Sequence, residues 1–209
     1  MKCKITCEDI KLEHMVTITK KYDPDSPFCS WTRNVIDEFK QLTNEEIHKR
    51  LDERSNEFAV LMIHVTGDFN IGTVLRSANF HGAREFFYFG RRKFDRRGCV
   101  GVHNYTKMQH LENTQNILQL KDRYTLVGLE NNISDTVSIH GFDWNLAKPP
   151  CIVVGEECNG ITDDIISMCD ALVEIPNFGS VRSMNVGVAA SIAMHDYVSS
   201  KRRRHLIDD

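Results

Sequence analysis

Three short segments of this 209-residue chain combine glycines with polar side chains that could bind a ligand. They are residues 70–76, 154–160 and 175–185, and each follows a short apolar run typical of a buried strand. Glycines such as Gly155 and Gly160 let backbone atoms approach a ligand closely. The side chains of Asn70, Arg76 and Asn185 supply hydrogen bonds and one positive charge. Together the segments could bind a flat polar ligand beside a guanidinium group.

The third segment is the most informative. Pro176 ends a strand, because proline cannot donate to a strand ladder, and Gly179 permits a turn with positive φ. Ser183 and Asn185 stand just before an apolar helix, and either could cap it. Arg182 could bind a phosphate or a carboxylate, or it could pair with an acidic neighbour at position 156 or 174.

Alternating elements must position these segments. The pattern predicts strands over residues 58–65, 86–89, 124–129, 151–154 and 171–175, and helices over residues 70–81, 113–120, 162–168 and 185–198. Short, all-apolar strands between helices indicate an α/β fold, with a mostly parallel sheet covered by helices on both faces. In such sheets ligands bind beyond the carboxyl ends of the strands, where all three segments lie.

The chain divides into three parts by composition. Residues 1–54 form a partly helical extension, in which Thr43 and Glu46 match a capping box. Residues 55–200 carry the α/β pattern, and residues 201–209 form a basic C-terminal tail. We expect the extension to pack on the main domain or on a partner.

Composition and charge narrow the class of protein. Hydrophobic residues make up 41% and charged residues 26%, with a net charge of −3, which is ordinary for a globular domain. No apolar run approaches the ~20 residues that span a bilayer, and residues 1–9 do not resemble a secretory signal. We therefore expect a soluble intracellular protein, cytoplasmic, or organellar or nuclear in a eukaryote.

Cysteine usage points to the same compartment. The seven cysteines include no C-x-x-C pair, which predicts free thiols in a reducing environment. Cys3, Cys7 and His14 could ligate a metal in principle, but their spacing is too loose to indicate a site. No metal is predicted.

The three segments resemble the three motifs of the SpoU/TrmH branch of the SPOUT RNA methyltransferases. The resemblance covers about residues 56–200 and rests on N-x-G-x-x-x-R at 70–76, G-x-E-x-x-G at 155–160, and the Ile-Pro, Ser and Asn positions of 175–185. It implies a C-terminal trefoil knot, S-adenosylmethionine (SAM) as cofactor, and methyl transfer to a ribose 2′-hydroxyl of structured RNA. The knot rests wholly on this resemblance.

The resemblance also implies roles for individual residues. The catalytic group comprises Asn70, Arg76, Glu157, Ser183 and Asn185. The cofactor-binding group comprises Val154, Gly155, Glu156, Gly160, Ile175, Pro176, Ser183, Met184 and Asn185. The family arginine is often described as a general base, but with a pKa above ~12 its neutral form costs about 7 kcal/mol at pH 7. We favour a role for Arg76 in holding the target phosphate and hydroxyl, with water or a phosphate oxygen accepting the proton.

A loop rich in cations and aromatics, residues 90–106, follows the second predicted strand and is called the basic loop. Cations suit phosphates, and aromatic rings such as Phe94 can stack on a displaced base. The RNA-contacting candidates are Arg91, Arg92, Arg96, Arg97, Asn104, Tyr105 and Arg182. The alternatives are a solvated charge run for the arginines and a half-buried loop aromatic for Tyr105.

The family implies a homodimer in which the closing helices pack together. The apolar helix predicted over residues 185–198 suits that role, although it could equally be core. Transfer RNA is the preferred substrate and ribosomal RNA the alternative within the class. An RNA-binding module that holds SAM without turnover is the alternative outside it, and an RNA contact is the alternative for the extension.

Overall fold

The computed structural model describes residues 34–64, 69–131, 133–156 and 159–208. Its centre is a seven-stranded parallel sheet in the order β3-β2-β1-β6-β4-β7-β5. The strands are β1 (Ala59–His64), β2 (Glu85–Gly90), β3 (Met108–Leu111), β4 (Thr125–Leu129), β5 (Val137–Ser138), β6 (Pro150–Val154) and β7 (Ala171–Glu174). In the described part of the chain, no helix has the length and apolar character needed to cross a membrane.

The helices are α1 (Asn44–Glu53), α2 (Phe69–Phe80), α3 (Thr114–Leu120), α4 (Asp163–Ile166) and α5 (Val186–Asp208). They cover both faces of the sheet, and an apolar cluster lies between the helices and the sheet on each face. One cluster packs α1, α2 and α5 on the sheet through residues such as Ile47, Leu75 and Met194. The other packs α3 and α4 on the opposite face through Ile117 and Ile165. The predicted α/β architecture is therefore confirmed.

Strand order places the three segments at one edge. Strand β6 lies between β1 and β4, and β4 lies between β6 and β7. Because all these strands are parallel, the turns that follow β1, β4, β6 and β7 emerge side by side. Strand β7 joins the sheet between β4 and β5, two strands that precede it in the chain. The trefoil knot remains a prediction, with which this order is consistent.

The described part of the extension, residues 34–54, packs on the main domain. Helix α1 begins with the predicted capping box: Glu46 N–H donates to Thr43 Oγ1 at 3.2 Å, and Thr43 N–H donates to Glu46 Oε2 at 2.7 Å. Ile47 and Phe39 are buried in the core, and Lys107 pairs with Asp52 at 2.8 Å.

Three elements differ from the sequence prediction. Strands β3 and β5 were missed, because β3 is short and carries the polar Gln109 and His110, and β5 has two residues. Helix α5 extends to Asp208, beyond the predicted end at residue 198. Its last part is polar, so the apolar pattern stops before the helix does.

Candidate active site

Asn185 joins the third segment to the first. Its Nδ2 donates to Asn70 Oδ1 at 3.1 Å, across 115 residues of sequence. Its Oδ1 accepts the N–H groups of Gly187 at 2.9 Å and Val188 at 3.3 Å, so Asn185 caps α5. Of the two predicted capping residues, Asn185 therefore has the role.

Helices α2 and α5 lie side by side and run in the same direction. Ser191 Oγ donates to Ser77 Oγ at 2.8 Å, and the rings of His81 and His195 lie 6.0 Å apart. A Cβ on Gly187 would lie 2.8 Å from Thr73 Cγ2, so glycine permits the close approach. The amino ends of both helices consequently meet at the Asn70–Asn185 bond, where their dipoles favour an anionic group.

Arg76 lies on the solvent side of α2. Its side chain is exposed, as are those of Thr73 and Phe80 at intervals of three and four residues. At about 1.5 Å per residue it stands roughly 9 Å along the helix from Asn70. Within the described chain no carboxylate forms an ion pair with it. The guanidinium is therefore available to a ligand.

The second segment folds into a tight turn after β6. Glu156 and Gly160 exchange backbone hydrogen bonds at 3.2 and 3.0 Å, and the buried Glu156 carboxylate accepts from Asn159 Nδ2. A Cβ on Gly155 would lie 2.1 Å from the Gly160 carbonyl carbon. Both glycines are needed for this shape, because Gly160 also has a φ of +65°. The predicted catalytic residue Glu157 lies outside the described residues.

A cavity of about 630 Å³ opens among the turns that follow β4, β6 and β7. Seven of the predicted cofactor-binding residues line it: Gly155, Glu156, Gly160, Ile175, Pro176, Ser183 and Met184. The other two do not line it: Val154 is buried at the end of β6, and Asn185 caps α5. The predicted RNA contact Arg182 also lines it, and its expected pairing with Glu156 or Glu174 is not among the described ion pairs.

The sequence prediction missed Glu130 and Asn131, which line the cavity from the end of β4. Glu130 Oε2 accepts the Ile161 N–H at 2.9 Å. Asn131 Nδ2 donates to the Arg182 carbonyl at 3.2 Å. The usable signal was their place directly after an apolar strand, the same signal that marked the other three segments.

The basic loop lies against α2. A Cβ on Gly72 would lie 2.7 Å from the Gly98 carbonyl carbon and 2.8 Å from Cys99 N, so the loop backbone touches the helix. Arg97 is held by Asp95, with Nε to Oδ2 at 2.7 Å, and this contact lowers the pKa of the Asp95 carboxyl. The predicted contacts Arg91, Arg92 and Arg96 are exposed on the same loop.

Tyr105, predicted to contact RNA, is buried in the structure. Its ring is 4% exposed and its hydroxyl donates to the Asn34 carbonyl at 3.4 Å. A buried ring cannot stack on a base, so the structure contradicts the predicted RNA contact. Asn104 is half-buried in the short 3-10 helix Val102–Asn104, and Phe94 is half-buried against Tyr88.

The described residues contain no group of three or more histidine, cysteine or acidic side chains suited to a metal ion. The candidates Cys3, Cys7 and His14 lie outside the described residues.

The chain is similar in sequence to known RNA methyltransferases. The chain is 24% identical over 157 residues to the tRNA (guanosine(18)-2′-O)-methyltransferase of Aquifex aeolicus, covering 73% of this chain and 74% of that one. It is 27% identical over 171 residues to the 23S rRNA (guanosine-2′-O-)-methyltransferase RlmB of Photobacterium profundum, covering 78% and 68%.

Solved structures share the fold. The crystal structure of the A. aeolicus TrmH/SpoU tRNA modifying enzyme has a TM-score of 0.67 at 21% identity and covers 78% of this chain and 84% of its own. The SpoU methyltransferase AviRb from Streptomyces viridochromogenes, solved in complex with the cofactor AdoMet, has a TM-score of 0.64 at 22% identity, with 74% and 64% covered. The family described as the SpoU rRNA Methylase family matches residues 57–195, more than half of the sequence, which confirms the predicted resemblance. The chain belongs to the SpoU methylase family.

Proposed function

We propose that the protein is an RNA methyltransferase that transfers a methyl group from SAM to a ribose 2′-hydroxyl of a structured RNA. One observation carries the proposal: the Asn70–Asn185 hydrogen bond attaches the arginine-bearing helix α2 to the turn that enters the cavity. This bond joins the helix that carries the guanidinium to the segment that borders the cavity, which supports a shared site.

The cavity suits the cofactor. Its volume of about 630 Å³ lies within the ~300–1,000 Å³ usual for cofactor sites. Its walls combine apolar side chains such as Ile175 and Leu129 with polar groups from Glu130 and Ser183, which matches a ligand with a flat heterocycle and charged ends. Residues 155–160 and 175–184 would hold SAM, which when bound supplies an electrophilic methyl group.

The protein's own residues then organise the acceptor. Arg76 holds the target phosphate and hydroxyl in line through its planar fork and stabilises negative charge on the ribose oxygen. The amino ends of α2 and α5 add a positive field for the adjacent phosphate. A water molecule or a phosphate oxygen accepts the hydroxyl proton, because a neutral arginine is too costly at pH 7. Glu157 and Ser183 belong to the same proposed catalytic group.

The basic loop extends this surface. Its exposed cations Arg91, Arg92 and Arg96 lie on the loop that packs against α2 at Gly72. Cations there attract RNA phosphates even though the whole chain has a net charge of −3. Arg182 at the cavity and Asn104 in the basic loop are further proposed RNA contacts. Arg97 is also a proposed RNA contact, and it forms an ion pair with Asp95.

In the proposed two-fold homodimer, the closing helices α5 of the two protomers would pack together. Phe80 is 84% exposed and Val188 52% exposed, and the two helices that carry them are in contact. Met184, Val181 and Phe178 are also exposed apolar residues, and they line the cavity. Exposed apolar side chains that form one patch mark an interface, and two-fold dimers are the commonest symmetric assemblies.

The proposed substrate is transfer RNA, with ribosomal RNA as the alternative. Relatives named for each kind of RNA match similar shares of this chain. Such substrates place the activity in the cytoplasm, or in an RNA-containing organelle or the nucleus.

Methylation of total RNA with labelled SAM tests the proposal. Label is expected in 2′-O-methylnucleosides after digestion and mass analysis, and mapping of the labelled RNA separates transfer from ribosomal targets. Arg76→Ala serves as the inactive control. SAM binding by calorimetry without label in any RNA would favour an inert RNA-binding module instead.

A further inference from the structure

Two adjacent residues at the end of β4 contact both turns of the proposed cofactor cavity. Strand β4 lies between β6 and β7, so the residues that follow it stand between the second and third segments. Glu130 reaches one segment and Asn131 the other. A role for these two residues in cofactor binding rests on the proposed function of the cavity.

Glu130 contacts the end of the second segment through one carboxylate oxygen and its own turn through the other. Oε2 accepts the Ile161 N–H at 2.9 Å, and Oε1 accepts the Asn131 N–H at 3.0 Å. A Cβ on Gly160 would lie 2.2 Å from Oε2, so the carboxylate lies against the Gly160 α-carbon. The side chain therefore fixes the turn at the residue that has a positive φ.

Asn131 contacts the third segment. Its Nδ2 donates to the Arg182 carbonyl at 3.2 Å, one residue before Ser183 at the cavity wall. Its backbone is in turn fixed by Glu130 Oε1. A chain of hydrogen bonds therefore runs from Ile161 through Glu130 and Asn131 to Arg182.

We propose that Glu130 and Asn131 are positioning residues that hold the two cofactor turns in one geometry before the cofactor binds. Within the described chain no cation forms an ion pair with Glu130, so its hydrogen bonds go to backbone amides. A carboxylate is required because two N–H donors need two acceptor oxygens. A glutamine offers one acceptor, and its NH₂ group would face the second N–H.

The test compares the full-length wild type with Glu130→Gln and Asn131→Ala. Glu174→Gln is the matched control, because Glu174 ends the adjacent strand β7 and accepts a hydrogen bond from Thr136 Oγ1 at 3.0 Å without lining the cavity. Thermal unfolding first establishes that each variant is folded. Calorimetry then measures the Kd for SAM and for S-adenosylhomocysteine, and hydrogen–deuterium exchange follows backbone amides in the ligand-free proteins.

Glu130→Gln is expected to raise the Kd for both ligands about equally, by roughly tenfold, which corresponds to about 1.4 kcal/mol of binding free energy. Exchange of amides in residues 159–161 should rise in Glu130→Gln, and exchange in residues 182–185 should rise in Asn131→Ala. Glu174→Gln should leave both readouts at the wild-type level.

Three results would overturn the inference. They are wild-type affinities with unchanged exchange in both variants, an equal effect of the control, and a selective loss of SAM over S-adenosylhomocysteine in Glu130→Gln. The last would mean that Glu130 acts directly on the sulfonium charge, since the two ligands differ there. If the wild type binds no SAM but the exchange changes occur, the proposed function fails while the positioning role stands.

Discussion

The side chain of Asn185 performs two tasks at once: Nδ2 donates to Asn70 Oδ1 at 3.1 Å, and Oδ1 caps α5 through the Gly187 N–H at 2.9 Å. A carboxamide carries its donor and its acceptor on two separate atoms, so it can make both contacts at once. Stability of the final helix and placement of the arginine-bearing helix therefore depend on the same residue.

Asn185→Ala and Asn185→Ser separate these tasks. Alanine removes the cap and should lower the free energy of unfolding by about 1 kcal/mol, measured in urea. Serine retains a capping oxygen but cannot reach Asn70, so it should lose little stability. Both variants should lower kcat by about ten- to a hundredfold, because the amino end of α2 loses its hydrogen bond to the segment that borders the cavity. Full activity in the serine variant would contradict the importance of the Asn70 bond.

Arg76→Lys tests the planar fork. The variant keeps the positive charge but loses bidentate geometry, and we expect kcat to fall at least tenfold, with a fall of about 10²–10³ for Arg76→Ala. Neither should change the free energy of unfolding by more than about 0.5 kcal/mol, since the side chain is exposed. SAM affinity should also persist, because Arg76 does not line the cavity. Near-normal turnover of Arg76→Lys would refute the positioning role.

Gly72→Ala should displace the basic loop. The new methyl group would lie 2.7 Å from a backbone carbon of Gly98, which cannot move without the loop. We expect RNA affinity to weaken about tenfold, the range for losing one or two phosphate contacts, while SAM affinity stays unchanged. Gly141→Ala is the control, because no atom lies within 4 Å of its Cβ position. Equal RNA affinity of the two variants would show that the basic loop does not contribute to RNA binding.

His81 should make stability depend on pH. Burial lowers the pKa of its imidazole below the ordinary 6.5, and the neighbouring His195 lowers it further. As pH falls below about 6.5 the unfolded chain therefore binds a proton that the folded protein resists, and stability declines. His81→Asn keeps a donor near the Ser77 carbonyl, which His81 Nδ1 contacts at 2.9 Å, but does not titrate. Urea unfolding between pH 7.5 and about 5 should show a shallower decline in this variant; parallel curves would exclude His81 as the cause.

Val188→Glu tests the dimer. Val188 lies on the exposed side of α5, and a charge there would be buried without a partner in the proposed interface. Sedimentation at micromolar concentration should show a dimer for the wild type and a monomer for the variant. Leu118→Glu, at a 38% exposed residue on α3, should remain dimeric. A monomeric wild type would rule out the proposed assembly.

The sequence predicted the parts of the site that follow apolar strands, because burial on both faces of a parallel sheet leaves a clear pattern. Of the nine residues predicted to bind the cofactor on that basis and on the family resemblance, seven line the cavity, and Val154 and Asn185 do not. Glu130 and Asn131 follow the same pattern but lie outside the family motifs, so nothing drew attention to them.

Long-range contacts were not predictable. The buried Tyr105 donates to the Asn34 carbonyl, 71 residues away in sequence, and no local pattern reveals such a contact. The end of α5 was placed too early because residues 199–208 are polar, although they include no glycine or proline to stop a helix. The spacing of apolar residues indicates which face of a helix is buried, so it cannot detect a helical segment that is not packed on the core.

The place of β7 in the sheet, between two strands that precede it in the chain, has a consequence for biosynthesis. A nascent chain that has emerged from the ribosome only as far as α4 lacks one wall of the cavity and the cap of α5. We expect such an intermediate to bind no cofactor, so SAM cannot assist folding until the C-terminal segment has left the exit tunnel.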